Sequence, residues 1–179
     1  MRFVIIHALP PGSAPGLEKA RAAAHELTGT SQALRYPPHV TLRTGLVCPD
    51  ELADSVALEF LGHAAKARPA RAWTLGLRHE LYAPDHGLVA LEVHSDGSLE
   101  TLHRHLLEFK AWAKGPQAAF RPHLTVAFDD LDKAATARLA EHFARSENRL
   151  VDFGFTVDTV ALYYERPEGW TKFGSVPLS

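Results

Sequence analysis

Two segments of the chain, Pro38-His39-Val40-Thr41-Leu42 and Pro122-His123-Leu124-Thr125-Val126, repeat one pattern of residue types. In each, a histidine and a threonine stand two residues apart, and apolar residues fill the positions between and after them. Because a β-strand points successive side chains to opposite faces, the histidine and threonine are expected on one face and the apolar pair on the other. The sequence therefore predicts two half-buried strands, each offering an imidazole and a hydroxyl together.

The context of the two triplets is more informative than the triplets themselves. In a chain with 11 histidines, composition alone predicts roughly 0.7 His-x-Thr triplets. A preceding proline and apolar residues at both other positions lower the expected number to about 0.01. The alternative to a functional site is a pair of structural strands in which His and Thr form hydrogen bonds with each other. If the strands instead face one cleft, they place two titratable imidazoles and two hydroxyl donors around it, which suits a phosphodiester.

The length of 179 residues allows one large domain or two small lobes, and we expect a single domain over residues 1–179 with a sizeable core. At this length about 70% of the surface of the unfolded chain can be buried. Cys48 is the only cysteine, which excludes an intrachain disulfide and a cysteine zinc cluster and fits a reducing cytoplasm. A net charge of −2, from 19 basic and 21 acidic residues, does not support a surface that grips duplex nucleic acid.

The first residues combine one positive charge with an apolar run of about seven residues, which is too short for a membrane span. The run ends at Pro10-Pro11-Gly12. We therefore expect a buried first strand rather than a signal peptide, and no association with a membrane.

Strands and helices alternate without a linker, and the order helix, motif strand, helix, paired strands occurs in both halves of the chain. This repetition predicts an α+β fold of two antiparallel sheets with outer helices and a central cleft, with one motif strand at the centre of each lobe. Predicted strands span 2–9, 38–47, 72–82, 87–94, 120–128, 150–164 and 170–177. Predicted helices begin at Ser13 or Pro15, at Asp50, at Asp96 or Ser98, and at Asp132, and they end near Gly29, Pro69, Gly115 and Ser146.

The two motifs, in a chain of this length and order of elements, resemble the 2H phosphoesterase superfamily. Its members include bacterial 2'-5' RNA ligase-like RNA 2',3'-cyclic phosphodiesterases and cyclic nucleotide phosphodiesterases of plants and yeast. The resemblance extends over nearly the whole chain and implies that both motif histidines lie in the groove between two lobes. There they act as general acid and base, while the motif threonines hold the phosphate. These roles fall on His39, Thr41, His123 and Thr125.

The reaction can also be derived from the chemistry of the residues. Opening a 2',3'-cyclic phosphate needs a proton taken from water on one side of phosphorus and a proton given to the departing sugar oxygen on the other. Two imidazoles can do both near neutral pH, and threonine hydroxyls can stabilise the charge that builds on the phosphate oxygens. We assign His123 as base and His39 as acid to O3', which gives a 2'-phosphate, although near two-fold symmetry leaves the reverse assignment open. No metal and no other cofactor are expected.

Seven further residues are candidates for substrate binding. Strand alternation predicts Arg43 and Arg121 on the face of the motif residues, where they would add positive charge. Plant-type members of the superfamily carry aromatic residues at the places of Phe128 and His7, whereas bacterial RNA phosphodiesterases commonly carry an arginine at the first of these places. Three residues of the last predicted hairpin could border the groove: Tyr164, Trp170 and Lys172.

The other histidines give no metal-ligand spacing. His103 and His105 stand two apart on a predicted helix, which sends them to different faces, and His63 fits no ligand pattern. The sequence thus predicts no metal site.

Three function classes remain open at this point: a cyclic phosphodiesterase, an ATP-independent 2'-5' RNA ligase that uses the same residues, and a non-catalytic nucleotide-binding module. The expected partners are RNA termini or small cyclic nucleotides, and the expected state is a cytoplasmic monomer. The substrate could be an RNA 3' end, a mononucleotide, an ADP-ribose cyclic phosphate or a 2'-5' oligonucleotide.

Overall fold

The computed structural model describes residues 1–110, 113–114, 119–166 and 169–179. Over these ranges the chain forms nine strands and four α-helices. The strands are β1 (Arg2–Ala8), β2 (His39–Val47), β3 (Ala70–Ala83), β4 (His86–Ser95), β5 (Ala113–Lys114), β6 (His123–Phe128), β7 (Gly154–Val157), β8 (Thr159–Arg166) and β9 (Gly169–Pro177). The α-helices are α1 (Pro15–Thr28), α2 (Ala53–Ala64), α3 (Ser98–Glu108) and α4 (Lys133–Ala144), and short 3-10 helices span Gln32–Arg35, Asp50–Leu52 and Ser146–Asn148.

The strands form two antiparallel groups that join in one sheet. One group has the order β7-β3-β4-β6 and the other β2-β1-β8-β9, with β5 paired to β2 outside this path. The groups meet where Val40 of β2 pairs with Leu124 of β6. The predicted α+β fold of antiparallel sheets with helices is confirmed. The two motif strands, however, are neighbours in the middle of the sheet rather than the centres of separate lobes.

Each lobe contains elements from both halves of the chain. The first lobe combines β3 and β4 with β6 and β7, and α1 and α4 pack against it. The second combines β1 and β2 with β8 and β9, and α2 packs against it, whereas α3 packs against β3 and β4 of the first lobe as well as β2 of the second. The chain therefore passes repeatedly between the lobes, which ties them together around the junction of β2 and β6.

The apolar residues of the motifs anchor both strands in the core. Val40, Leu42 and Leu124 are 0% exposed and Val126 is 1% exposed, so the predicted division of each motif strand into an apolar and a polar face is confirmed. Burial of each such side chain contributes about 1.5–3 kcal/mol. This burial fixes which face of β2 and β6 carries the histidines.

Local signals explain where two of the helices begin and end. Pro15 opens α1, and Gly29 closes it in the left-handed conformation with φ of 77° while its N–H donates to the carbonyl of His25. The Asp132 carboxylate accepts a hydrogen bond from the Ala135 N–H at 2.7 Å and caps α4.

Other predicted boundaries need correction. Asp50 begins a 3-10 helix rather than α2, and its carboxylate pairs with the amino group of Met1. The predicted strand 150–164 is split at Asp158 into β7, which pairs with β3, and β8, which pairs with β1. α3 already ends at Glu108, and the predicted stop at Gly115 lies outside the described residues.

Within the described part of the chain, no helix combines the length and the apolar character needed to cross a membrane.

Gly87 lies at the start of β4. Because it has no side chain, Leu131 and the first turn of α4 can pack closely against it. A Cβ atom there would collide with the Thr136 hydroxyl and would lie 3.1 Å from the carbonyl oxygen of Leu131. We expect Gly87→Ala to lower the free energy of unfolding by about 1–3 kcal/mol, measured by urea denaturation.

Gly62, in the helix α2, provides the matched control. A Cβ atom added there meets no atom within 4 Å. Gly62→Ala should therefore stabilise the protein by about 0.5–1 kcal/mol, because alanine favours a helix. Equal effects of the two substitutions would contradict the packing that we describe around Gly87.

Candidate active site

The pair between β2 and β6 sets the two motifs side by side in opposite directions. Val40 opposes Leu124, and in antiparallel strands the residue before one partner lies beside the residue after the other. His39 is thus next to Thr125, and His123 is next to Thr41. Each imidazole therefore neighbours the hydroxyl of the other motif, and all four side chains line one cleft.

The cleft encloses a volume of about 310 Å³. This is at the lower end of the range for pockets that bind small ligands. Its walls are largely apolar, and they carry four aromatic side chains besides the histidines: Tyr36, Phe128, Tyr163 and Trp170. A cavity of this size is closed to a large ligand, and its aromatic walls offer flat surfaces for stacking.

Both motif histidines are held in the same way. The Nδ1 atom of His39 lies 2.9 Å from the carbonyl oxygen of Pro37, and that of His123 lies 2.9 Å from the carbonyl oxygen of Arg121. Because a carbonyl only accepts hydrogen bonds, each Nδ1 carries a proton and donates it. In each ring Nε2, on the opposite side, is left to exchange a proton with a substrate.

Burial and nearby positive charge lower the pKa of both histidines. For His39, burial is the main cause, and the charges of Arg21 and His123 act in the same direction, against the hydrogen bond to the Pro37 carbonyl. For His123, burial is again the main cause and Arg78 adds to it, while the Arg121 carbonyl and Glu80 oppose it. The surroundings of the cleft therefore favour neutral imidazoles, and an anion bound there would favour their protonation.

Arg21 is a site residue that the sequence analysis missed. It comes from α1, is 6% exposed, and lines the cleft. One guanidinium nitrogen donates to the Tyr36 carbonyl at 2.7 Å, whereas Nε has no hydrogen-bond partner within the described residues. The sequence does carry a signal for Arg21: it falls inside the apolar stripe of α1, beside Leu17 and Ala24. Arginine is rarely buried unless it is paired, so an arginine on a buried helix face indicates a functional role.

Arg78 is the second cation that the sequence analysis missed. It lies in one row across the sheet with Ala90 and Thr125, and the small side chain between them lets the guanidinium reach the motif strand. Its Nη2 atom is 3.4 Å from Nδ1 of His123 and 3.8 Å from the Glu80 carboxylate. Since the proton on Nδ1 is directed to a carbonyl, Arg78 acts on His123 through its charge.

The prediction that Arg43 shares the face of the motif residues is wrong. Ile5 pairs with Arg43 and Ile6 with Thr41, so three residues of β2 oppose two of β1 in a bulge. Arg43 is consequently turned away from the cleft, is 5% exposed, and donates to the carbonyls of Leu106 and Phe109 at the end of α3. The same bulge turns Thr44, which was not predicted, into the cleft.

His7 also lies on the opposite face. It pairs with Val40, whose side chain is in the core, and is itself 2% exposed. Its Nδ1 atom lies 2.9 Å from the Thr159 carbonyl oxygen, and its ring stacks on Phe155 with 6.3 Å between the ring centres. The expectation that His7 contributes an aromatic wall to the groove is therefore wrong.

The last hairpin supplies two of the cleft residues. Trp170 lines the cleft as expected, but its neighbour there is Tyr163, whereas Tyr164 packs edge-on against Phe3 on the other face. Val160 is buried, so strand alternation places Tyr164 on the core face and Tyr163 on the cleft face. Lys172 pairs with Tyr163 but is exposed and lies outside the cleft wall.

Phe128 lies in the cleft, whereas the side chain of Arg121 does not. Phe128, at the end of β6, lines the cleft as predicted. Arg121 precedes the start of β6, so strand alternation does not extend to it, and its exposed side chain lines a separate groove with Arg78 and His94. Its contribution to the site is the main-chain carbonyl that holds His123.

Solved structures of known proteins share this fold. E. coli LigT, complexed with 3'-AMP, matches with a TM-score of 0.63 at 16% identity over 99% of this chain and 98% of that one. TT0787 of Thermus thermophilus matches with a TM-score of 0.51 at 21% identity over 99% and 98% of the two chains. Usb1 of Kluyveromyces marxianus matches with a TM-score of 0.56 at 11% identity over 98% and 97%. At these identities the likeness defines the fold class, which is that of LigT.

Sequence comparison adds the family. Residues 9–168 match the 2'-5' RNA ligase superfamily, and the chain therefore belongs to this family of 2H phosphoesterases. A search among curated proteins gave no match. The resemblance carried by the two motifs is thus confirmed.

The buried Arg21 and the half-buried Arg78 should affect the two histidines differently. Arg21→Gln removes a charge that lowers the pKa of His39, and Arg78→Gln removes one that lowers the pKa of His123. We expect the first substitution to raise the pKa of His39 more than that of His123, and the second to do the reverse. NMR titration of the imidazole resonances measures both values in each variant, so each variant is the control for the other. Equal shifts would contradict the separate placement of the two cations.

Proposed function

We propose that this protein is a metal-independent cyclic phosphodiesterase that opens 2',3'-cyclic phosphates of RNA ends or nucleotides to 2'-phosphates. The observation that carries the proposal is the matched pair of imidazoles, each held through Nδ1 by a backbone carbonyl and lining the same cleft. A general acid and a general base on two sides of one phosphorus are what the reaction requires.

In the proposed reaction, Nε2 of His123 takes a proton from water as the water oxygen forms a bond to phosphorus. The bond from phosphorus to O3' breaks, and Nε2 of His39 gives its proton to that oxygen. The carbonyls of Pro37 and Arg121 hold the imidazole rings in place and stabilise each ring while it is charged. Thr41 and Thr125 donate hydrogen bonds to the non-bridging oxygens, where charge builds up.

The volume and the lining of the cleft also favour a small substrate. A volume of about 310 Å³ with aromatic walls suits one nucleotide whose base stacks on a ring such as Phe128 or Trp170. The net charge of −2 gives no extended basic surface for the body of an RNA. The substrate is therefore a terminal nucleotide or a small cyclic nucleotide. LigT, which shares the fold, has been crystallised with 3'-AMP and with phosphate.

Removal of either imidazole tests the reaction. We expect His39→Ala and His123→Ala each to lower kcat for a nucleoside 2',3'-cyclic phosphate by about 10²–10⁴-fold, because each removes one proton transfer. The assay contains EDTA. His94→Ala is the matched control, since His94 is exposed and lies outside the cleft. Wild-type rates for both motif variants would disprove the proposal.

The pH dependence of kcat/KM provides an independent test. Burial is the main reason why the pKa values of both motif histidines lie below the ordinary value of 6.5. One imidazole must be neutral and the other protonated, so kcat/KM should pass through a maximum on the acidic side of pH 6.5. Arg78→Gln should move this maximum to higher pH, because it raises the pKa of His123. A maximum above pH 6.5 in the wild type would contradict this account.

A 2'-5' RNA ligase is the second candidate, because the family to which the chain belongs carries that name. A 2'-hydroxyl would then take the place of water, and the same two histidines would transfer the protons. Incubation with cleaved RNA halves distinguishes the activities: hydrolysis leaves 2'-phosphate ends, whereas ligation yields a joined strand with a 2'-5' linkage.

A further inference from the structure

A side groove lies next to the cleft, on the other side of His123. Its volume is about 250 Å³, and its lining residues are Arg78, Glu92, Val93, His94, Arg121 and Pro122. Glu92 pairs with His123 across the sheet, and Nη2 of Arg78 lies 3.4 Å from Nδ1 of His123. Because His123 also lines the cleft, a ligand that fills the cleft can extend past this histidine into the side groove.

An exposed tryptophan stands beside the side groove. Trp73 of β3 pairs with His94 of β4, and residues directly opposite each other in antiparallel strands share a face of the sheet. Their chain neighbours Ala72 and Val93 are buried in the core. The side chains of Trp73 and His94 therefore lie on the opposite face, which also carries His123. Trp73 is 39% exposed, so its indole offers a flat surface on which a nucleic-acid base can stack.

The charges along the side groove leave one arginine available for an anion. The Glu92 carboxylate lies 3.8 Å from Nε2 of His94, and the Glu80 carboxylate lies 3.8 Å from Nη2 of Arg78. The exposed guanidinium of Arg121, in contrast, has no carboxylate within 4.0 Å among the described residues. A guanidinium binds a phosphate through two parallel hydrogen bonds. Arg121 is thus the cation of the side groove that is free to do so.

We propose that the side groove and Trp73 bind the nucleotide that precedes the terminal cyclic phosphate, so that the substrate is an RNA end rather than a free mononucleotide. This inference rests on the proposed function. Arg121 binds the phosphate that links the two nucleotides, and Trp73 stacks on the base of the second. A cation for the backbone and an aromatic ring for the base are what proteins commonly use to bind single strands without sequence preference.

Two substrates of different length test the proposal. We expect kcat/KM for a dinucleotide that ends in a 2',3'-cyclic phosphate to exceed that for a nucleoside 2',3'-cyclic phosphate about tenfold or more, because one more base is stacked. Trp73→Ala should remove most of this preference and leave kcat/KM for the nucleoside substrate unchanged. Trp73→Phe, which retains an aromatic face, should keep the preference. Equal values for the two substrates in the wild type would overturn the proposal.

The salt dependence of binding tests the role of Arg121. Each phosphate of a single strand that a cation neutralises adds about 0.7 to the slope of log Kd against log salt concentration. Arg121→Gln should lower this slope by about 0.7 for a dinucleotide with a 2'-phosphate, measured by calorimetry. Arg104→Gln is the matched control, because Arg104 is exposed on α3 and lies outside both the cleft and the side groove. Equal slopes in the two variants would contradict the phosphate contact.

Failure of the proposed function has a different signature, since neither cyclic phosphate would then be opened. In that case the affinities of the 2'-phosphorylated mononucleotide and dinucleotide decide between the outcomes. Tighter binding of the dinucleotide, about tenfold in the wild type and lost in Trp73→Ala, supports the second nucleotide site. Equal affinities, or a preference that persists in Trp73→Ala, overturn it.

Discussion

The pairing of Val40 with Leu124 is the constraint on which the rest of the structure depends. It joins two antiparallel groups of strands, and its antiparallel direction gives the cleft its near two-fold arrangement of imidazole and hydroxyl. Both residues are fully buried. A shift of this pairing by one residue would turn the polar faces into the core and the apolar faces into the cleft, so the hydrophobic core itself fixes the position of the motif histidines and threonines.

Around this junction the protein surrounds two imidazoles with fixed positive charge. Arg21 approaches from α1 and Arg78 from β3, one on the side of each histidine. Burial and these charges lower the pKa of both imidazoles, and Glu80 offsets part of the effect on His123. The backbone carbonyls act in the opposite sense and keep each ring oriented through its Nδ1 proton.

Sequence pattern predicted those parts of the site that follow from strand alternation alone. The motif residues and their buried neighbours obey the period of two, and the structure has them as expected. The prediction for Arg43 is wrong because a bulge in β2 interrupts that period, and a bulge has no reliable signature in a single sequence.

Other errors have different physical origins. The buried Val160 and Leu162 of β8 indicate that Tyr164 shares their face and that Tyr163 faces the cleft, so strand alternation already favours Tyr163 over Tyr164. Arg21 and Arg78 come from a helix and from a strand two positions away in the sheet, and only the tertiary fold brings them to the histidines.

The exchange of strands between the halves of the chain has a consequence for how the molecule forms. Phe3 pairs with Tyr164, and β1 is flanked by β2 and β8. During synthesis the first strand must therefore wait for nearly the whole chain before its second neighbour emerges from the ribosome. Contacts between residues so distant in sequence are costly in chain entropy and slow to form. The second lobe, which carries His39, is therefore complete only after β8 and β9 have been synthesised.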